Sequence, residues 1–138
     1  MTVLAAQLVE RIEAGGETLA VIVREGYDPR ETHFVTPPDF LQQLGFIVYP
    51  AESQVPRHDH RLVERAIRGT PECLLIRKGR TEVTLFDRTR TEVCTRTLER
   101  GDIILLVAGG HGFRQLEATV FMEIKQGPYP GVEEKERF

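Results

Sequence analysis

The chain has 138 residues, enough to bury a core as one domain without disulfides or a structural metal. Its apolar fraction of 41% and charged fraction of 28% are ordinary for a globular protein, and no apolar run approaches the ~20 residues of a membrane span. A formal net charge of −3 argues against a general nucleic-acid binder, so neither nucleic acid nor, without an apolar span, a membrane is an expected partner.

The opening "MTVLAAQLVERIEAGG" lacks a basic n-region, and Glu10, Arg11 and Glu13 break its apolar residues early, so no secretory leader is read there. Leu4 to Ile12 reads as a short amphipathic element. "EAGGE" breaks it, since paired glycines permit a tight reversal. "TLAVIVR" is rich in β-branched residues and reads as a strand. "DPRETHFVTPPDF" is turn and loop; Thr36 before Pro37 and Pro38 predicts a capped helical turn over 40–44. His33 in this stretch reads as structural or solvated. "GFIVYPA" reads as a compact strand, and "RLVERAIRGT" as a helical turn or irregular loop.

Strands then recur quickly: "ECLLIRKG" to Gly79, "TEVTLFD" to Asp87, "EVCTRTLERGD" broken at Gly101, the apolar then glycine-rich "IILLVAGGHGF", and "ATVFMEIKQGPY". Short strands separated by brief Gly/Asp turns, with no long helical period between them, predict an all-β sandwich or barrel. Cys73 and Cys94 fall in strand-like segments at no metal-binding spacing, and read as free thiols suited to a reducing cytoplasm.

The chemistry-bearing residues are few. His58 and His60 in "PRHDH" stand at spacing two, which on a strand turns both imidazoles to one face and Asp59 to the other. Glu72 opens a later strand, and His111 sits among glycines near the end of another. Three imidazoles and one carboxylate suit a divalent metal with open coordination positions. The cations are fifteen Arg against three Lys, and Arg57, Arg61, Arg65 and Arg68 cluster beside the histidine pair. Arginine favours bidentate capture of carboxylate or phosphate, although a solvated loop is the plainer reading of most of them. Glu123 and Lys125 alternate with Val120, Met122 and Ile124, which predicts one charged, solvated face and one apolar face.

The segment from Gly45 to Phe113 resembles the cupins. "HDH" followed by "ECLLIRKG" is similar to the first cupin motif, and "GDIILLVAGGHGF" to the second, with Gly101 and Gly109 in their places. "RAIRGTPE", "IKQGPY" and "EKERF" extend the resemblance to small single-domain cupins of unassigned activity. The chain departs from the pattern at Glu72, which follows His60 by eleven intervening residues against the usual three or four; at Val107, in the place of the motif's proline; and at His111, one residue early. Glu64 stands at the usual distance and is the alternative carboxylate.

The resemblance implies one domain over residues 1–138, a double-stranded β-helix (jelly-roll) barrel with its core over about 40–128 and short N-terminal strands. It implies one divalent metal (Fe, Mn, Ni, Co or Zn) held by His58, His60, Glu72 and His111, with Arg65 as an anchor for an anionic substrate group. Glu64, Glu123, Lys125 and Tyr49 are the further candidates for proton transfer. A metal-dependent enzyme acting on a sugar or carboxylic acid is favoured slightly over a non-catalytic small-ligand binding module. A metal-free cupin-type epimerase or isomerase, with His58 or His111 as base and Tyr49 as acid, is the other alternative. Cupins of this size are often dimers joined by their N-terminal strands, and the apolar "TLAVIVR" is consistent with that.

Overall fold

The structure is a computed structural model that describes residues 7–129 and 134–138. The described residues form ten strands and no helix. They fall into two compact units, one made of the N-terminal stretch to Tyr27 together with Thr70 onward, the other of Asp28–Gly69.

The larger unit begins with a hairpin, β1 (Val9–Ala14) and β2 (Glu17–Val23). Ala14 pairs with Glu17 across a two-residue turn, where Gly15 and Gly16 have φ of 60° and 76°. Positive φ at both positions is the hairpin geometry that glycine supplies without strain. The amphipathic element expected from Leu4 is thus a strand starting at Val9; the part before residue 7 lies outside the described residues.

Four further strands follow the predicted order closely: β5 (Glu72–Lys78), β6 (Arg80–Phe86), β7 (Glu92–Glu99) and β8 (Ile103–Leu106). The glycine-rich run after β8 starts a separate strand, β9 (Gly110–Gln115), and β10 is Val120–Lys125. Pairing is antiparallel throughout. One sheet has the order β1-β2-β8-β5-β10 and a second the order β7-β6-β9.

Alternation along the strands builds the core between these sheets. Ala20, Ile22, Leu74, Ile76, Ile104 and Leu106 from the first meet Val83, Leu85 and Leu98 from the second. The all-β expectation therefore holds. The expected closure into a barrel does not: β1 and β10 remain edges of one sheet, and β7 and β9 edges of the other.

The β5–β8 junction is held by a buried carboxylate. Asp102 accepts the backbone N–H of Glu25 at 2.9 Å and of Glu99 at 2.8 Å, and pairs with Arg24 at 3.1 Å. Its own backbone carbonyl accepts Ile76 N–H at 3.0 Å, and Gly101 N–H donates to Ile76 O at 2.8 Å. Gly101 has φ of 90°, a value that only glycine adopts at little cost.

The smaller unit is mostly irregular. β3 (His33–Phe34) pairs with β4 (Gly45–Phe46), so the strand expected over "GFIVYPA" is only two residues long. The helical turn over 40–44 does not form. Gln43 donates its amide to the carbonyls of Pro37 and Phe40, both at 2.8 Å, and the Thr36 hydroxyl accepts Leu44 N–H at 3.1 Å. Thr36 thus closes a loop instead of capping a helix. His33 is structural: its Nδ1 lies 2.9 Å from Glu31 O, and its ring stands 6.0 Å from that of Phe46. Residues 54–68 carry no regular structure, which is the irregular alternative for "RLVERAIRGT".

Removing one member of a buried, hydrogen-bonded ion pair leaves the other uncompensated. Asp102→Ala should therefore lower unfolding stability by about 3 kcal/mol, measured by urea denaturation at pH 7 against the parent. A loss below about 1 kcal/mol, the size of an exposed pair, would remove Asp102 from the role given to it here.

Candidate functional site

The larger unit carries a cavity of about 750 Å³. Glu72 and His111 both line it, although one starts β5 in the five-stranded sheet and the other sits in β9 of the three-stranded sheet. Thr70, the β6–β7 turn, the other residues from Gly109 to Phe113 and the C-terminal residues Glu134–Phe138 form the rest of its wall.

Strand register explains how Glu72 reaches it. Leu74 and Ile76 of β5 point into the core, so Glu72, on the same alternation, lies on the same sheet face at the strand's end. On the neighbouring strand Lys125 is directly opposite Glu72, and Glu123 is opposite Leu74. Phe121 packs against the core, which places Phe121, Glu123 and Lys125 on that inward face too. Lys125 Nζ stands 3.8 Å from Glu123 Oε1.

This departs in part from the expectation for β10. The charged residues adjoin Glu72, with Lys125 half-buried and Glu123 exposed, and the apolar Val120, Met122 and Ile124 are exposed on the other face. Alternation identified two faces but not which of them turned inward, and polarity pointed the wrong way.

The carboxyl of Glu72 is pushed up to about 7. Burial is the main cause; the hydrogen bond with Glu123 and that group's negative charge add to it, and the charges of Lys125 and Lys135 oppose it. Two carboxyl groups in contact cannot both ionise cheaply, so the pair holds a proton near neutral pH. His111 is pushed down from its ordinary value, first by burial and then by the positive charge of Lys135, with Glu123 opposing. Its ring is open to the cavity, yet the walls around it disfavour the imidazolium. An edge-to-face chain runs from His111 to Phe113 at 5.8 Å and on to Phe121 at 5.0 Å, tying the imidazole to the core.

Gly109 makes the approach of the β8–β9 link possible. Its φ is 73°, and a Cβ there would collide with the Phe86 carbonyl oxygen. No side chain larger than hydrogen fits between these backbones.

The remaining candidates lie in the smaller unit. His58 and His60 are exposed on the irregular run, and no strand contains them. Their rings are nevertheless close, with centroids 5.3 Å apart and planes at 70°. His58 Nδ1 is 2.8 Å from Pro56 O, which leaves Nε2 directed away from that contact. Glu64 and Arg65 are exposed on the same run, and Tyr49 is exposed just past β4, outside the strand expected to hold it. Among the described residues, no group of three or more His, Cys, Asp or Glu side chains is gathered closely enough to hold a metal ion.

Sequence reasoning gave no role to the cavity's C-terminal wall or to the turn residues Arg88 and Arg90. "EKERF" stood out only as part of the resemblance, and nothing in its composition says that it folds back over a cavity. Comparison with protein-family models, with curated proteins and with solved structures finds no match to this chain. No helix among the described residues is long and apolar enough to cross a membrane.

The raised pKa of Glu72 sets a pH dependence. Between pH 4.5 and about 7 the unfolded chain ionises Glu72 while the folded protein keeps its proton, so stability falls as pH rises across that window. His111 acts oppositely, costing stability as pH falls below 6.5. Comparing the parent with Glu72→Gln isolates the first effect. The variant should gain on the parent from pH 4.5 to 7, by on the order of 1 kcal/mol after solvent screening, and hold that gain above 7. Urea unfolding at several pH values measures it, and a pH-independent difference would mean that Glu72 titrates normally.

Proposed function

We propose that the protein is a small cupin of jelly-roll type that binds, and in the enzymatic reading transforms, a small polar or anionic molecule of sugar or carboxylate type at a divalent metal. The observation that carries this reading is the meeting of Glu72 and His111, from different sheets, at one cavity. The sheet order, in which β8 lies between β2 and β5 and β9 beside β6, supports a jelly-roll, since such wrapping brings distant strands together.

The donors fit a metal in their chemistry. His111 is held in the neutral form that a ligand requires, and a cation beside Glu72 would offset its repulsion with Glu123. His58 and His60 form a ready imidazole pair, with the Pro56 carbonyl as the outer partner that such ligands use. These four residues would hold the metal, Glu64 being the alternative carboxylate, and nitrogen with one oxygen suits Fe, Mn, Ni, Co or Zn. Such a metal supplies Lewis-acid polarisation and orientation of the bound molecule.

The chain's own groups act around it. Glu72 and Glu123 share a proton, Lys125 balances the pair, and neutral His111 can accept a proton from a ligand in the cavity. That arrangement favours a second reading, a metal-free isomerase or epimerase in which the carboxyl pair donates the proton formerly assigned to Tyr49. A homodimer in a reducing cytoplasm, in keeping with the free thiols of Cys73 and Cys94, completes the proposal.

Elemental analysis of untagged protein, purified after growth with each of the five ions, tests the metal. The parent should carry about one ion per chain, and a His58→Ala, His60→Ala double variant should lose at least nine-tenths of it. Metal that persists in the double variant overturns the ligand set. Metal absent from both transfers the assignment to the acid–base reading.

A further inference from the structure

The C-terminal residues Glu134–Phe138 are a wall of the cavity, and they are fastened at both ends. At the near end Thr70 donates its hydroxyl to Glu134 Oε2 at 3.1 Å. At the far end the Phe138 ring meets Phe86 edge-to-face at 5.2 Å, and the Arg90 guanidinium lies 4.8 Å from the same ring's centroid. Arg90 also pairs with Glu136 at 3.4 Å. Gly110 completes the seat: a Cβ there would stand 2.7 Å from Phe138 Cζ, so the aromatic ring occupies the space a side chain would need.

The seat is itself held in place. Arg88, on the same β6–β7 turn, binds Glu17 of β2 through two nitrogens, at 2.6 and 2.7 Å. Asp87 Oδ1 accepts the N–H groups of Thr89 at 2.9 Å and Thr91 at 3.0 Å, which fixes the turn that presents Arg90.

Between the two fastenings Lys135 lines the cavity together with Glu72 and His111, and its charge reaches both. The other cations of the wall have partners: Arg88 is bound to Glu17, Arg90 to Glu136, and Arg137 is engaged as well. Lys135 makes no ion pair within 4.0 Å among the described residues. The strap, pinned by an aromatic ring, thus sets an ammonium group in the wall of a cavity that a carboxyl and an imidazole also line.

We propose that Lys135, carried by this strap, is the anchor for an anionic ligand group, a carboxylate or one of like charge and size, and sets the cavity's preference for acids over neutral molecules. This deepens the small-molecule reading above and moves the anchoring role from Arg65 to Lys135. Phe138 acts through Lys135, by holding the strap in its seat. The contact is a point-charge contact, so it selects for charge more than for planar geometry.

Calorimetric titration with malonate, and with malonamide as its neutral counterpart, tests this on the full chain. The parent should bind malonate at least tenfold more tightly than malonamide. Lys135→Met should abolish the preference, Lys135→Arg should restore part of it, and Phe138→Ala should weaken it several-fold because the strap is released. Thermal unfolding of each variant within a few degrees of the parent ensures that a folded protein is compared. A parent without the preference, a Lys135→Met variant that keeps it, or a Phe138→Ala variant that keeps it in full overturns the proposal. Titrations with metal-loaded and with chelator-treated protein separate the two readings. A preference that depends on Lys135 in chelated protein stands even where no metal binds, and metal that binds normally to Lys135→Met leaves the metal reading intact whatever malonate does.

Discussion

One alternation along β5 controls both the core and the cavity. Leu74 and Ile76 are core residues because every second side chain faces the opposing sheet, and Glu72 faces the same way for the same reason. A slip of one residue against β8 would bury Cys73, Leu75 and Arg77 and swing Glu72 to the other side. The charge of Arg77 alone makes that register costly. Asp102 adds a positional lock, because its backbone pairs with Ile76 while its side chain gathers donors from the ends of β2 and β7. Core packing and placement of the candidate acid are therefore one constraint, fixed by the apolar residues.

The strands that this constraint organises are also those most legible in the sequence. β6 reads Thr81, Val83 and Leu85 inward with Arg80, Glu82 and Thr84 between them, and Gly79 and Asp87 bound it. Short turns leave such strands few partners. The region from Phe46 to Gly69 was less legible. "GFIVYPA" has strand composition, but only Gly45 and Phe46 find a partner, and β propensity without a neighbouring ladder does not make a strand. His58 and His60 illustrate the same limit. Their closeness followed from spacing, whereas the element expected to enforce it did not form. The orientation of β10 was illegible for another reason. Polarity suggests that charges face water, and only the pairing of Lys125 with Glu72 reveals that here they face one another.

The cost of that inward charge shapes what the site can do. Burial and a second carboxyl hold Glu72 protonated to about pH 7, where an exposed glutamate would have ionised. Such an arrangement works against stability, and a fold selected for packing alone would place an apolar pair at these positions. The neighbouring lysines do not remove the cost, since their attraction is smaller than the desolvation they oppose. In that desolvated setting any further cation near Glu72 shifts it toward the ionised form.

That sensitivity links the strap to the carboxyl pair. Lys135 lowers Glu72 and also lowers His111, so one ammonium group favours a negative acid and a neutral base on facing strands. Were an anion to neutralise Lys135, both effects would weaken together: Glu72 would hold its proton more firmly and His111 would become more basic. A carboxyl kept protonated on the same cavity as an imidazole able to accept a proton is the pairing needed to move a proton onto one atom of a bound molecule and off another. The anion that seats itself against the strap would thereby prepare the groups across the cavity. Coupling of this kind needs no moving element, only three titratable groups at the wall of one cavity, arranged by strand register on one side and by the ring of Phe138 on the other.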